Sequence, residues 1–120
     1  MQSLTEQEVE AMQLLWANKG GFIKELLDLM PEPKPPYTTL ASTVKNLEKK
    51  KYVKGEKLGN SYRYKVLISE DKYKKTFINR FVSDYFKDSY KDLVSFFAKE
   101  EKISPSELEE IMKMIKNPKK

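Results

Sequence analysis

Apolar residues in the first thirty positions recur at helical spacing. Val9, Met12, Leu15 and Trp16 share one side of a helix that Thr5 and Glu8 open as a capping box, with Leu4 placed just ahead as a hydrophobic staple. Gly20-Gly21 ends this helix and admits a second, short one on Ile23, Leu26, Leu27 and Met30, which stops at Pro31. The stretch PEPKPP that follows predicts a stiff, extended connector, because each proline fixes φ and biases its predecessor away from helix. A third helix is expected from near Thr38 to about Lys50. Its large apolar residues are Leu40, Val44 and Leu47, a narrow buried stripe. Its opposite side carries Thr38, Ser42, Lys45, Asn46 and Lys49, a short-polar and basic face with no carboxylate on it.

The period then changes from helical to two. Tyr62, Tyr64 and Val66 alternate with Arg63 and Lys65, and Gly59-Asn60 separates this run from YVKGEK, so a hairpin with a tight Gly-Asn turn is predicted. Helical spacing returns after Ser69. Phe77, Phe81, Val82 and Tyr85 form one group and Tyr90, Leu93, Val94 and Phe97 another, with a break near Lys87-Asp88 and a restart at Ser89. A last helix opens at SPSE, with Ser104 as cap and Glu107 completing the box, and shows Ile111, Met112 and Ile115 on its apolar side.

Three helices followed by a hairpin is the element order of a winged helix-turn-helix. The chain is therefore expected to be mainly α: a winged helix over residues 1–69, with three helices and a β-hairpin wing, followed by a helical dimerisation region over 70–120. In that fold the third helix enters the major groove and the hairpin braces the adjacent backbone. Thr38 and Thr39 suit phosphate at the positive helix end, while Ser42, Thr43 and Asn46 suit base edges. Tyr62, Tyr64 and Val66 are expected to pack on the helices, turning Lys57, Arg63 and Lys65 toward phosphate.

Charge agrees with this placement. Residues 34–65 hold nine lysine and arginine side chains, Lys45, Lys49 and Lys50 among them, against only Glu48 and Glu56, whereas the 33 residues before them are acidic. A polyanion is the natural partner of such a segment. Chemistry is restricted on the other side of the account: the chain has no histidine and no cysteine, so the commonest general base and the usual zinc, copper and iron ligands are missing. An enzyme is disfavoured, and no cofactor or metal is expected. A hydrolase using Glu6 and Glu10 competes poorly, since both carboxylates suit the helix start. A winged-helix adaptor that binds an acidic protein instead of DNA is the stronger competitor. No apolar run approaches about 18 residues and the N-terminus lacks a signal-peptide layout, so the expectation is a cytoplasmic protein without direct membrane association.

Seven aromatic residues lie between Phe77 and Phe97, more than three short helices can bury among themselves. A surplus of this kind marks an oligomer interface, expected here to involve Phe77, Phe81, Tyr85, Tyr90, Leu93, Val94, Phe97, Ile111 and Ile115 in a homodimer. A symmetric dimer suits a palindromic operator of double-stranded DNA.

The stretches LTEQEVEAMQLLW, YTTLASTVKNLEKKKYV, SYRYKV and LVSFFAKEEKISPSELEEI, in this order and spacing, resemble the penicillinase-repressor (BlaI/MecI/CopY) family of winged-helix transcriptional repressors. The last is the most specific, since generic winged helices lack it. The resemblance covers nearly the whole chain and implies a homodimeric repressor that occupies operator DNA. Several members are relieved when a membrane-bound sensor metalloprotease, responding to a β-lactam, leads to cleavage in the dimerisation region; the matching bond here is Phe96-Phe97. Relatives have Asn before the equivalent Phe, some have Arg where this chain has Ala41, and many have Arg at Asn46, so the operator sequence does not carry over. Copper-responsive members use C-terminal cysteines, which this chain lacks.

Overall fold

The computed structural model describes residues 1–116, and of residues 111, 112 and 114–116 the backbone alone. The order is α1 (Glu6–Ala17), β1 (Gly21–Phe22), α2 (Ile23–Leu29), α3 (Tyr37–Lys49), β2 (Val53–Leu58), β3 (Ser61–Val66), α4 (Glu70–Phe86), α5 (Tyr90–Lys99) and α6 (Pro105–Lys116). The fold is mainly helical with a small antiparallel sheet, a winged helix followed by further helices. Two compact units are formed, Met1–Thr76 and Phe77–Lys120.

In the first unit the stripes read from the sequence converge. Met12 and Leu15 of α1, Leu26 of α2, and Leu40, Val44 and Leu47 of α3 are all buried, joined by Tyr52, Val53 and Tyr64 from the hairpin and its approach. The Thr5–Glu8 box forms as expected: Thr5 N–H donates to Glu8 Oε1 at 2.9 Å and Glu8 N–H to Thr5 Oγ1 at 3.2 Å. Leu4 packs on the same core. Strands β2 and β3 pair from Val53↔Val66 to Leu58↔Ser61, leaving Gly59-Asn60 as the two-residue loop. Of the two, Gly59 carries the positive φ, 63°, as a turn with glycine in its first central position requires.

One strand was not expected. Gly21 and Phe22 pair with Tyr64 and Arg63, so β3 lies in the middle of a three-stranded sheet of order β1-β3-β2. Two residues are too few to show a period of two, which is why only a helix boundary was legible there. The first unit also extends into α4 and does not stop at its start. Tyr73 sets its ring 5.5 Å from Trp16 and 6.0 Å from Tyr52, and Trp16 donates its indole N–H to the Ile68 carbonyl at 2.9 Å. The opening turn of α4 is thereby pinned to the winged-helix core.

In the second unit the chain breaks where the spacing placed it, at Lys87 and Asp88, both with positive φ (49° and 63°). Ser89 caps α5, accepting the Asp92 N–H at 3.1 Å, and Ser104 with Glu107 forms the second capping box. Rings chain along the unit through Phe81, Phe86, Phe96 and Phe97. Val82 is fully buried and Leu93 nearly so, whereas Phe77, Tyr85, Tyr90, Val94 and Phe96 are exposed. Leu93, expected at an interface, is already covered within the chain. The side chains of Ile111 and Ile115 lie outside the described residues.

Candidate nucleic-acid interface

The face of α3 turned away from the core is continuous. Thr38, Ser42, Lys45, Asn46 and Lys49 are all exposed, and no carboxylate interrupts them. Glu48, the one acidic residue of the helix, is turned aside to accept the Gly55 N–H at 2.9 Å, which anchors the wing to α3. Gly55 permits this approach: a Cβ there would come 2.9 Å from the Tyr64 ring and 3.4 Å from Glu48 Oε2. Tyr64 is buried over it, and burial together with the negative Glu48 pushes its phenol pKa up, so the ring stays neutral.

Two expected contacts on α3 turn elsewhere. At about 100° per residue, Thr43 falls on the Leu47 side of the helix, not beside Ser42. It is buried, with its hydroxyl donating to the Thr39 carbonyl at 3.0 Å. Lys50 lies on the same side and reaches α1. Its ammonium sits 2.6 Å from Glu8 Oε1 and donates to the Ser3 carbonyl at 3.0 Å. Burial alone would raise the Glu8 pKa, but the Lys50 ammonium and the Thr5 donors outweigh it and hold the carboxyl below its ordinary value. Lys50 is a structural cation. Thr39 is exposed, but at the rim of a cleft of about 470 Å³ that Glu6, Glu10 and Glu32 also line, a poor approach for phosphate.

The wing is corrected by its register. Residues directly opposite in an antiparallel pair share a face. Lys57 is opposite Tyr62 and Gly55 opposite Tyr64, so Lys57 stands on the tyrosine face toward α3. Lys54, Glu56, Arg63 and Lys65 occupy the other face. There Arg63 donates to the Lys19 carbonyl at 3.2 Å and Lys65 lies 3.7 Å from Glu56. Tyr62 was expected to pack on the helices. It is 51% exposed. It lines a groove of about 300 Å³ between α3 and the wing together with Tyr37, Ala41, Lys45, Asn60 and Ser61. Tyr37, Tyr62 and Lys24, which lines the same groove, were absent from the sequence-based site. Tyr37 had only its place at the start of α3 to mark it, and Lys24 carried no signal beyond its charge.

Lys34 completes the local architecture. Its ammonium donates to the carbonyls of Leu27, Asp28 and Met30 at 2.8–3.0 Å, closing the end of α2 where unsatisfied C=O groups favour a cation. The connector into α3 thus starts from a fixed point, with Pro36 as the N-cap of α3.

The sequence model of the penicillinase repressor family matches residues 4–117. The chain belongs to the penicillinase repressor family. It is 28% identical over 105 residues to a penicillinase repressor of Staphylococcus aureus, a match covering 87% of this chain and 83% of the relative. Family and fold agree: the match runs through both compact units, so the helices after the wing belong to the family pattern as much as the winged helix does. The protein is accordingly a transcriptional repressor of the penicillinase-repressor type. No helix among the described residues is long and apolar enough to cross a membrane.

Proposed function

We propose that the protein is a homodimeric, non-enzymatic repressor that occupies a palindromic operator in double-stranded DNA. Its α3 lies in the major groove and the tip of its wing lies on the adjoining backbone. The observation that carries this reading is the outward side of α3, where Thr38, Ser42, Lys45, Asn46 and Lys49 stand exposed with no acid among them, flanked by Lys57 on the near face of the wing. Thr38 and the lysines hold phosphate, while Ser42 and Asn46 read base edges; asparagine can pair with adenine through two hydrogen bonds. Thr43, Lys50, Arg63 and Lys65 drop out of the contact set for the geometric reasons above.

The second unit supplies the dimer. Tyr85 and Phe96 remain 73% and 51% exposed beside Phe81 and Phe86, and large rings left open in this way fit a symmetric apolar interface. Relief by proteolysis at Phe96-Phe97, through a membrane-bound sensor metalloprotease, fits a bond that lies within α5, provided this helix opens locally first.

The test is fluorescence anisotropy with labelled duplex DNA across a salt series. Binding that weakens steeply with salt is expected. Failure to bind any duplex at low salt sinks the reading and leaves the adaptor that recognises an acidic protein.

A further inference from the structure

Beyond the C-terminal end of α3 the structure holds a second basic concavity, which shares only Lys49 with the operator face. A cleft of about 410 Å³ is lined by Lys49, Lys50, Lys51 and Lys72, with Gln2 and Ile68 among its other walls. Among the described residues no carboxylate lines it. The charge of Lys50 is already matched by Glu8. The ammonium groups of Lys49, Lys51 and Lys72 take part in none of the ion pairs among the described residues.

The two outer lysines are held on fixed backbone. Lys51 follows the helix cap with φ 66°. Its N–H donates to the Glu48 carbonyl at 3.0 Å and the next N–H, of Tyr52, to the Leu47 carbonyl at 2.9 Å. This is the paired hydrogen bonding of a Schellman end. Lys72 sits in the first turn of α4, its N–H bound to Ser69 Oγ at 3.1 Å, and the next residue, Tyr73, is locked onto Trp16 and Tyr52. The neighbouring carboxylates of α4 do not compensate the cleft: Asp71 does not line it, and Glu70 lies 3.7 Å from Lys74.

Three lysines outside these ion pairs, lining one concavity, raise its potential, and a compact anion of more than one charge relieves it best. Lysine binds such an anion as a point charge. We propose that this cleft is a phosphate-binding site distinct from the recognition face. The phosphate has two possible sources: the DNA backbone beyond the groove that α3 enters, which rests on the operator reading above, or a free polyphosphate, which does not. Lys49 belongs to both surfaces, so a duplex lying on α3 passes the mouth of the cleft.

The test uses the full chain with Lys51→Gly and Lys72→Gln combined, leaving Lys49 in place. Glycine suits the left-handed backbone at position 51, so the variant is expected to keep its circular dichroism and thermal midpoint; Lys72→Gln alone serves if the pair fails to fold. Two readouts are taken: the log–log salt slope of binding to a mixed-sequence duplex, and the rise in thermal midpoint on adding sodium tripolyphosphate. A slope smaller by about one unit identifies a backbone phosphate. Loss of the tripolyphosphate-induced rise identifies a free polyphosphate site. A folded variant that matches the parent protein in both readouts overturns the proposal. If the parent binds no duplex at all, the operator reading fails, and the tripolyphosphate arm alone decides this one.

Discussion

Lys50 Nζ lies 2.6 Å from Glu8 Oε1, tying the end of α3 to the N-terminal capping box of α1 across 42 residues of chain. Glu8 is almost fully buried, and Lys50 keeps a small part of its surface in water. Removing the cation leaves a buried carboxylate with only the Thr5 donors. Lys50→Met is expected to lower unfolding free energy by about 1–3 kcal/mol in urea denaturation. Because the ammonium is spent inside the protein, Lys50→Gln should leave the salt slope of DNA binding unchanged, in contrast to its neighbour Lys49.

The same pair sets a pH dependence. The folded Glu8 pKa is depressed, while the unfolded value is about 4.3. A depressed carboxylate stabilises the fold above the unfolded pKa and loses that contribution as pH falls through the folded one. The stability gap between the parent protein and Glu8→Gln should therefore be constant from neutral pH to about 5. Below that it should close. Urea midpoints measured through the acid range check this, and a gap that widens on acidification would contradict the ion-pair assignment.

The wing's seat on α3 depends on Glu48 and Gly55. Glu48→Ala deprives the Gly55 N–H of its acceptor, at an expected cost of about 1–3 kcal/mol if water does not replace it. Gly55→Ala places a methyl 2.9 Å from the Tyr64 ring, so the ring or the strand must shift. Both variants should loosen the hairpin while α1 stays intact. Hydrogen exchange reads this directly: faster exchange is expected over residues 53–66, with residues 6–17 unchanged.

How far these elements were legible in the sequence depended on what each residue's neighbours in space were. Leu40, Val44 and Leu47 announced the buried side of α3 because helical spacing is a local property, and the Thr5 and Ser104 boxes followed from local pairs. Lys50 and Lys49 look alike in sequence. What separates them is Glu8, far away along the chain, and no periodicity reports that. Arg63 and Lys65 do stand opposite Tyr62 and Tyr64, as alternation within their own strand says, but Lys57 on the other strand was grouped with them. The register that puts Lys57 with the tyrosines is a property of the pairing. Tyr62 shares its strand face with Tyr64 yet is exposed where Tyr64 is buried, so the pattern was right and the depth of the core was not visible.

Base discrimination and general affinity should separate on α3. Asn46→Ala is expected to flatten preference among related duplexes, at about 1–3 kcal/mol for the base it pairs with. Lys49→Ala should weaken all duplexes alike and lower the log–log salt slope by about one unit. Anisotropy titrations over a panel of duplexes measure both. If Asn46→Ala leaves the ranking of the panel untouched, the assignment of α3 as the reading helix is lost.

The second unit offers a test that does not involve DNA. Tyr85 is 73% exposed, its ring 5.1 Å from that of Phe81, whereas Val82 on the same helix is fully buried. If the exposed rings form a homodimer interface, Tyr85→Asp introduces a charge that must be desolvated there, and the protein should become monomeric while keeping its helical circular dichroism. Val82→Asp places the charge in the interior instead, and should cost secondary structure and stability together. Sedimentation equilibrium on the two variants distinguishes the outcomes. A folded Tyr85→Asp protein that remains dimeric at the concentrations where the parent does would remove this face from the interface. A chain ending at Phe96 applies the same measurement to relief by cleavage: it should be monomeric and should lose cooperative binding to a palindromic duplex, because the remainder of α5 and all of α6 are gone.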